Sequence, residues 1–378
     1  MKRILNIAAS VLLVALVLVS CDPGTMGLFE MLEQEKPINK GTPALNANTA
    51  QFVLRFGADY YAAVGKTLLT RPASGGVWTT VSTAPSGYDI TSGVVAGGSM
   101  YILCALSPGR VYASNDGSTW TPFGDYSALT QDPDETPKGL LAANNQLFLV
   151  SQWSTVDPDT THYAIYYNNA GTFTPTPITN AISSLPSSIA WDGTNYWISA
   201  GNTVFRGADP WSLMNDSANV AGAFTAANPV LSVWYDSVNI GVIAAATGKV
   251  WRLTTGGYTP SGPFGSSAQL SSVIVVPRNG GGAATIIGAK SWGSSTSTGY
   301  YEYDASQNSL ANFGSGVVPS SAYDMISDNS NYVTTLDDLS IEGFYYDSVG
   351  QVLFARTVGG GLWSNTYSAG TWSGWDRE

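Results

Sequence analysis

The residues able to do chemistry are few. The chain carries one histidine, His162, and two cysteines, Cys21 and Cys104. A nucleophile–histidine–acid triad would depend on His162 alone, and a histidine-rich metal site is excluded. His162 stands in Thr160-Thr161-His162-Tyr163, beside an apparent loop, and reads as a surface residue. Cys104 sits in the apolar stretch Met100–Leu106, which reads as a buried strand with an inert thiol. Two acidic loops remain, Asp132-Pro133-Asp134-Glu135 and Asp157-Pro158-Asp159. Their hard oxygens suit Ca²⁺, with Asp132, Asp134, Asp157 and Asp159 as candidate ligands. Neither loop has the spacing of a calcium loop, and solvated turns are the simpler reading. Calcium is the only cofactor these residues suggest, and no catalytic residue is assigned. There is no Gly-x-Ser-x-Gly elbow, and Gly280-Gly281-Gly282 lacks the Lys-Ser/Thr of a phosphate loop.

Aromatic residues offer a second chemistry. Trp153, Trp191, Trp197, Trp211, Trp234 and Trp292 could stack sugars on an exposed face. Most of them lie in strand patterns, so burial in a core is the preferred expectation.

The elements that position these groups come from a repeat. Ala190-Trp191-Asp192-Gly193-Thr194-Asn195-Tyr196-Trp197-Ile198 leads to Gly201–Phe205; Trp234–Ile243 leads to Gly248–Trp251; Tyr345–Phe354 leads to Gly360–Trp363. Each reads as a strand, a polar turn, a second strand, a Gly-rich turn and a third strand ending in an aromatic. Weaker copies place the first turn at Gly57, Gly97, Ala143 and Arg278, besides Asp192, Asp236 and Asp347. A fourth strand or turn is marked by Trp78, Trp120, Phe173, Trp211, Tyr258 and Trp372. Units of about 40–50 residues with four strands each predict an all-β protein, a β-propeller of seven four-stranded blades over 51–378. The last interval, Arg278 to Asp347, is longer and holds an insert, 318–339, so six or eight blades stay open. A two-sheet sandwich or two separate all-β domains are the competing folds.

One unit carries a motif. Ser114-Asn115-Asp116-Gly117-Ser118-Thr119-Trp120 resembles the Asp-box hairpin of sialidase-like and other Asp-box propellers. That resemblance implies that Asp116 accepts backbone N–H bonds, Gly117 supplies a positive φ and Trp120 packs between sheets, with Ser114 opening the turn. Sialidase chemistry would add an arginine triad, a Tyr nucleophile with a Glu beside it, and an aspartic acid. Arg55 sits early but lacks the following Ile-Pro, while Arg71, Arg206 and Arg252 fall near the ends of third strands. They read as repeat-position residues rather than a convergent site. The motif argues for a fold, not an activity.

The N-terminus supplies an address. Met1-Lys2-Arg3 precedes the apolar run Ile4–Val19, which is shorter than the roughly 20 residues a membrane span needs. Leu18-Val19-Ser20-Cys21 follows, and it resembles the lipobox of bacterial lipoproteins. The resemblance implies a signal peptide over 1–20, lipidation at Cys21, and a protein held in the bacterial cell envelope by acyl chains (palmitate or similar). An uncleaved anchor helix is the alternative. Residues 21–50 show no strand pattern and read as the lipidated N-terminus and a tether. Within them Gly27–Glu33 could form a short apolar helix.

The full chain has a net charge of −11, more negative still without Lys2 and Arg3. Nucleic acid is thereby excluded as a partner. The expected function is a lipid-anchored binding or assembly module, its partner an envelope protein or a glycan. A glycan-active hydrolase or lyase on the same scaffold is the alternative, and a structural surface protein a third. Whether the anchored domain faces the periplasm or the exterior is left open by the sequence.

Overall fold

Turn chemistry divides the chain into hairpins, and the hairpins set the architecture. The computed structural model describes residues 45, 48–105, 110–124, 134–156, 159–179, 181–186, 188–201, 203–216, 230–236, 241–246, 249–254, 257–261, 269–290, 299–304, 309–312, 336 and 339–378. The described strands form seven sheets, each built from four strands consecutive in the chain. The first contains β1 (Phe52–Phe56), β2 (Asp59–Val64), β3 (Thr67–Pro72) and β4 (Thr79–Thr80). The second contains β5 (Ile90–Ala96), β6 (Ser99–Cys104), β7 (Arg110–Ser114) and β8 (Thr121–Phe123). The third contains β9 (Thr136–Ala143), β10 (Gln146–Val156), β11 (Asp159–Asn169) and β12 (Thr172–Pro175). The fourth contains β13 (Ile189–Trp191), β14 (Tyr196–Ala200), β15 (Thr203–Gly207) and β16 (Met214–Asn215). The fifth contains β17 (Val230–Asp236), β18 (Gly241–Ala246), β19 (Lys249–Thr254) and β20 (Gly257–Ser261). The sixth contains β21 (Gln269–Pro277), β22 (Ala283–Lys290), β23 (Tyr300–Asp304) and β24 (Ser309–Asn312). The seventh contains β25 (Ile341–Asp347), β26 (Val352–Thr357), β27 (Gly361–Ser368) and β28 (Thr371–Trp372), with β29 (Asp376–Arg377) added on β27.

Every neighbouring pair is antiparallel, as short turns demand. The first strands form a ring: β1 lies beside β5, β5 beside β9, β9 beside β13, β13 beside β17, β17 beside β21, β21 beside β25, and β25 beside β1. This is a β-propeller. Its apolar clusters lie between sheets, because one four-stranded sheet cannot cover both of its faces. Phe52, Tyr61 and Leu68 of the first sheet pack on Ile90, Met100 and Ile102 of the second. Tyr101 and Val111 pack on Leu149 and Tyr166, and Phe148 and Ile165 on Tyr196 and Phe205. Ile286 and Tyr300 pack on Leu353 and Trp363, and Phe354 and Leu362 close back on Tyr60 and Leu69.

All described residues belong to one compact unit, Gly41–Glu378. Leu45 and Ala50, placed by sequence in the tether, are fully buried in the cluster between the first and last sheets. His162 also differs from expectation: it is internal to β11, paired with Trp153 across a hairpin of two 11-residue strands, and half-buried. The signal segment, Cys21, the Gly27–Glu33 helix and the strand-like pieces of the insert at 323–326 and 332–335 lie outside the described residues.

Candidate functional site

The ring of first strands opens into a cavity of about 640 Å³. It is lined by the ends of β9, β13, β17 and β25 and by the middle of β21. Two features of the repeat build it. The first strand ends in an aromatic, and an Asp follows: Trp191-Asp192, Tyr235-Asp236 and Tyr346-Asp347. The aromatic lines the cavity in each case. The Asp holds the turn where its side chain is described. Asp192 accepts bonds from Thr194 N at 2.8 Å, Asn195 N at 2.6 Å and Trp197 Nε1 at 2.6 Å. Burial pushes its carboxyl up, but these bonds outweigh burial and hold it below the usual carboxylate range. Asp347 accepts from Val349 N and Gly350 N, and also from Arg55 and Tyr60 of the first sheet. It too lies below the usual range, burial opposing and the hydrogen bonds prevailing.

Trp234, Phe344, Asn144 and Ser272 complete the polar and aromatic lining. Asn144 and Asn145 form the tip of the β9–β10 turn with φ of 48° and 60°. Asparagine tolerates this left-handed region better than other side chains. Asp, Glu, Lys, Arg and His are absent from the described lining.

The residues singled out from sequence fall elsewhere. At the β7–β8 turn, Asp116 Oδ1 accepts from Ser118 N at 2.8 Å and Thr119 N at 2.6 Å, and Oδ2 accepts from Thr119 Oγ1 at 2.9 Å. These bonds depress its carboxyl strongly. Ser114 Oγ accepts from Gly117 N at 2.8 Å, Gly117 has φ +75°, and Trp120 packs against the cluster between the first two sheets. Cys104 is fully buried, and burial pushes its thiol up to about 11. Asp132 and Asp157 lie outside the described residues, as does the side chain of Asp159, while Asp134 is exposed. Among the described residues no group of three or more His, Cys, Asp or Glu is placed to hold a metal ion.

Arg71 and Arg206 do occupy equivalent third-strand positions. Arg71 stacks over Trp78 at 5.2 Å and pairs with Glu378 at 2.7 Å; Arg206 stacks over Trp197 at 5.1 Å and pairs with Asp216 at 3.4 Å. Each covers an aromatic of its own repeat and pairs with a carboxylate outside the cavity. Among the described residues, Tyr166 Oη donates to Glu135 at 2.7 Å, and Ser151 Oγ donates to the same carboxylate. All three residues are buried in the third sheet, and burial raises the Tyr166 hydroxyl's pKa instead of activating it. Neither Tyr166 nor Glu135 lines the cavity.

Sequence reasoning named Trp191 and Trp234 but assigned them to the core. Burial holds for Trp153 and Trp197, whereas Trp191 and Trp234 are half-buried and line the mouth, and Trp211 is 60% exposed. The available signal was the aromatic-Asp ending of the first strand.

The fold thus defines a β-propeller with an aromatic, uncharged mouth. The profile of the DUF6242 beta propeller domain matches residues 35–244, and the chain belongs to that family. No curated protein matches it in sequence. Among solved structures it is similar to YCF48 bound to D1 peptide, at 12% identity and a TM-score of 0.54, over 85% of this chain and 93% of that one. It is similar to the extracellular domain of the putative hybrid two component system BT4673 from B. thetaiotaomicron, at 13% identity and a TM-score of 0.56, over 85% of this chain but 39% of that one. PorZ, a surface component of the type-IX secretion system of Porphyromonas gingivalis, matches at 12% identity and 0.50, over 88% and 38%. Likenesses at such identity speak for the fold.

Proposed function

We propose that this chain is an interaction module of the bacterial envelope, anchored by lipid at Cys21 and presenting the mouth of its propeller to a partner. The carrying observation is the cavity itself: about 640 Å³, built from five first strands, lined by aromatics and without Asp, Glu, Lys, Arg or His among its described lining. A concave, aromatic site with uncharged polar groups suits binding. A rigid ring that holds variable turn residues around a concave mouth is what a recognition surface requires. YCF48, solved bound to D1 peptide, and PorZ, a surface component of a secretion system, have a similar fold, which supports the reading by analogy. The Ser114–Trp120 hairpin has the bonds an Asp box needs, and on this reading it is a structural turn.

Two measurements test it. Cys21→Ala should move the protein from the membrane fraction to the soluble fraction; unchanged membrane retention overturns the anchor. A photo-crosslinking residue at Tyr235, in the mouth, should capture an envelope component in intact cells. The same residue at Trp211, exposed but outside the lining, should not. Equal capture at both positions overturns the mouth as the binding surface.

A further inference from the structure

The mouth gathers aromatic faces without gathering charge. Trp191, Trp234, Tyr235, Phe344 and Tyr346 come from three different sheets, and Tyr235 is 44% exposed. In a chain of net charge −11 the described lining is neutral, since Asp192 and Asp347 spend their oxygens on their own turns, Trp197 and the first sheet. Ions, nucleotides and charged peptides find no counter-charge there.

The polar groups that remain are uncharged. Each first strand pairs with a second strand on one side only, so its other edge turns N–H and C=O groups toward the axis. Some are already taken: Phe344 N donates to Ser272 Oγ at 3.2 Å, and Leu140 N to Ser92 Oγ at 3.0 Å. Val233 N is taken as well, by Ser188 Oγ at 2.7 Å, so side chains of neighbouring sheets occupy part of this inner edge.

We infer that the mouth binds a neutral carbohydrate chain, an inference that rests on the mouth being the interaction surface. The C–H faces of a sugar ring lie on aromatic planes, and its hydroxyls donate and accept in every direction around the ring. An uncharged peptide meets the same rings, but its backbone pairs along one continuous strand edge. Here the edges belong to separate strands arranged around an axis, and none offers a full ladder to a ligand in the mouth. The cavity volume lies within the range of about 300–1,000 Å³ typical of small-ligand sites.

The test uses the full chain in detergent, titrated with dextran, β-mannan and xyloglucan oligosaccharides and with polygalacturonate as the anionic counterpart. Calorimetry and tryptophan fluorescence are the readouts. At least one neutral glycan should bind saturably. Trp191→Ala and Trp234→Ala should weaken that binding by about tenfold or more. Tyr235→Ala, a substitution at a ring already well exposed, should do the same with an unchanged melting temperature, and Trp211→Ala should leave binding intact. Binding of no neutral glycan, preference for polygalacturonate, or equal loss in Trp211→Ala overturns the inference. Glycan failure with selective capture at Tyr235 in cells removes the carbohydrate and keeps the interaction surface; failure of both removes both.

Discussion

At Gly117 the backbone sits at φ +75°, a region that costs a side-chain residue roughly 1–2 kcal/mol. A Cβ there would also run into the Tyr61 hydroxyl. Gly117→Ala should therefore destabilise by more than the backbone term alone, read as a fall in the urea midpoint at unchanged slope. Asp116 holds the same turn by accepting from two backbone N–H groups and one hydroxyl. Its carboxyl is depressed by the Thr119 and Ser118 amides, largest first, with the Thr119 hydroxyl next. The bonds are thus fully present above the ordinary carboxylate pKa and are lost only as pH falls well below it. Asp116→Asn keeps an acceptor oxygen and should lower the melting temperature less than Asp116→Ala at pH 7. If neither substitution lowers it, the Asp116 carboxylate is not what holds the hairpin.

At the scale of the strand, an irregularity recurs near the start of first strands. The register shifts between Ile90 and Ser92 in β5, Val230 and Ser232 in β17, Leu270 and Ser272 in β21, and Ile341 and Gly343 in β25. A bulge re-aims backbone and side chain. Here serines near it bolt one first strand to the next. Ser92 Oγ donates to Leu140 O at 3.2 Å and accepts from Leu140 N at 3.0 Å; Ser271 Oγ donates to Ile341 O at 2.5 Å. Ser92→Ala should cost about 1–3 kcal/mol by stranding the Leu140 groups, and amide exchange at Leu140 should quicken ahead of its neighbours in β9. The turns that punctuate these strands were legible in the sequence. Gly57, Gly97, Ala143, Asp192, Asp236, Arg278 and Asp347 each fall at the turn between first and second strands or one residue before it. Turn chemistry is local, so it can be read locally. The bulges were not legible, because register is set by the pairing of two strands and not by the residues of one. Nor was the length of β10 and β11, at 11 residues each, which carried His162 from an apparent loop into a strand. The exposure of Trp191 and Trp234 is likewise tertiary: the same aromatic-rich pattern fills cores at Trp197 and opens a mouth at Trp191.

The whole ring must close between its ends, and among the described strands none is lent from one end to the other. The last sheet takes all of its strands from residues 341–377 and the first from 52–80. Side chains carry the junction instead. Arg55 Nη1 and Tyr60 Oη both donate to Asp347 Oδ2 at 2.7 Å, Tyr345 Oη accepts from Arg55 N at 2.9 Å, and Arg356 donates to Gln51 O at 2.6 Å. Arg71 and Trp78 both donate to Glu378 at 2.7 Å. Asp347 is central, because one buried carboxylate serves two sheets and its own turn. Its folded pKa lies below the ordinary value, so its contribution is full above pH about 4 and disappears as pH falls through the folded pKa. Asp347→Asn retains the turn acceptor but loses the charge. With Arg55 partly exposed, the loss at pH 7 should be about 2–3 kcal/mol, between that of a surface pair and a buried one. The variant's stability should also fall less than the wild type's between pH 7 and pH 3. Hydrogen exchange locates the effect: β1 and β25 should open together in the variant while β9 and β13, on the far side of the ring, keep their protection. Uniform loss of protection around the ring would mean that Asp347 serves its own turn only, and that packing of Phe354 and Leu362 on Tyr60 and Leu69 closes the propeller.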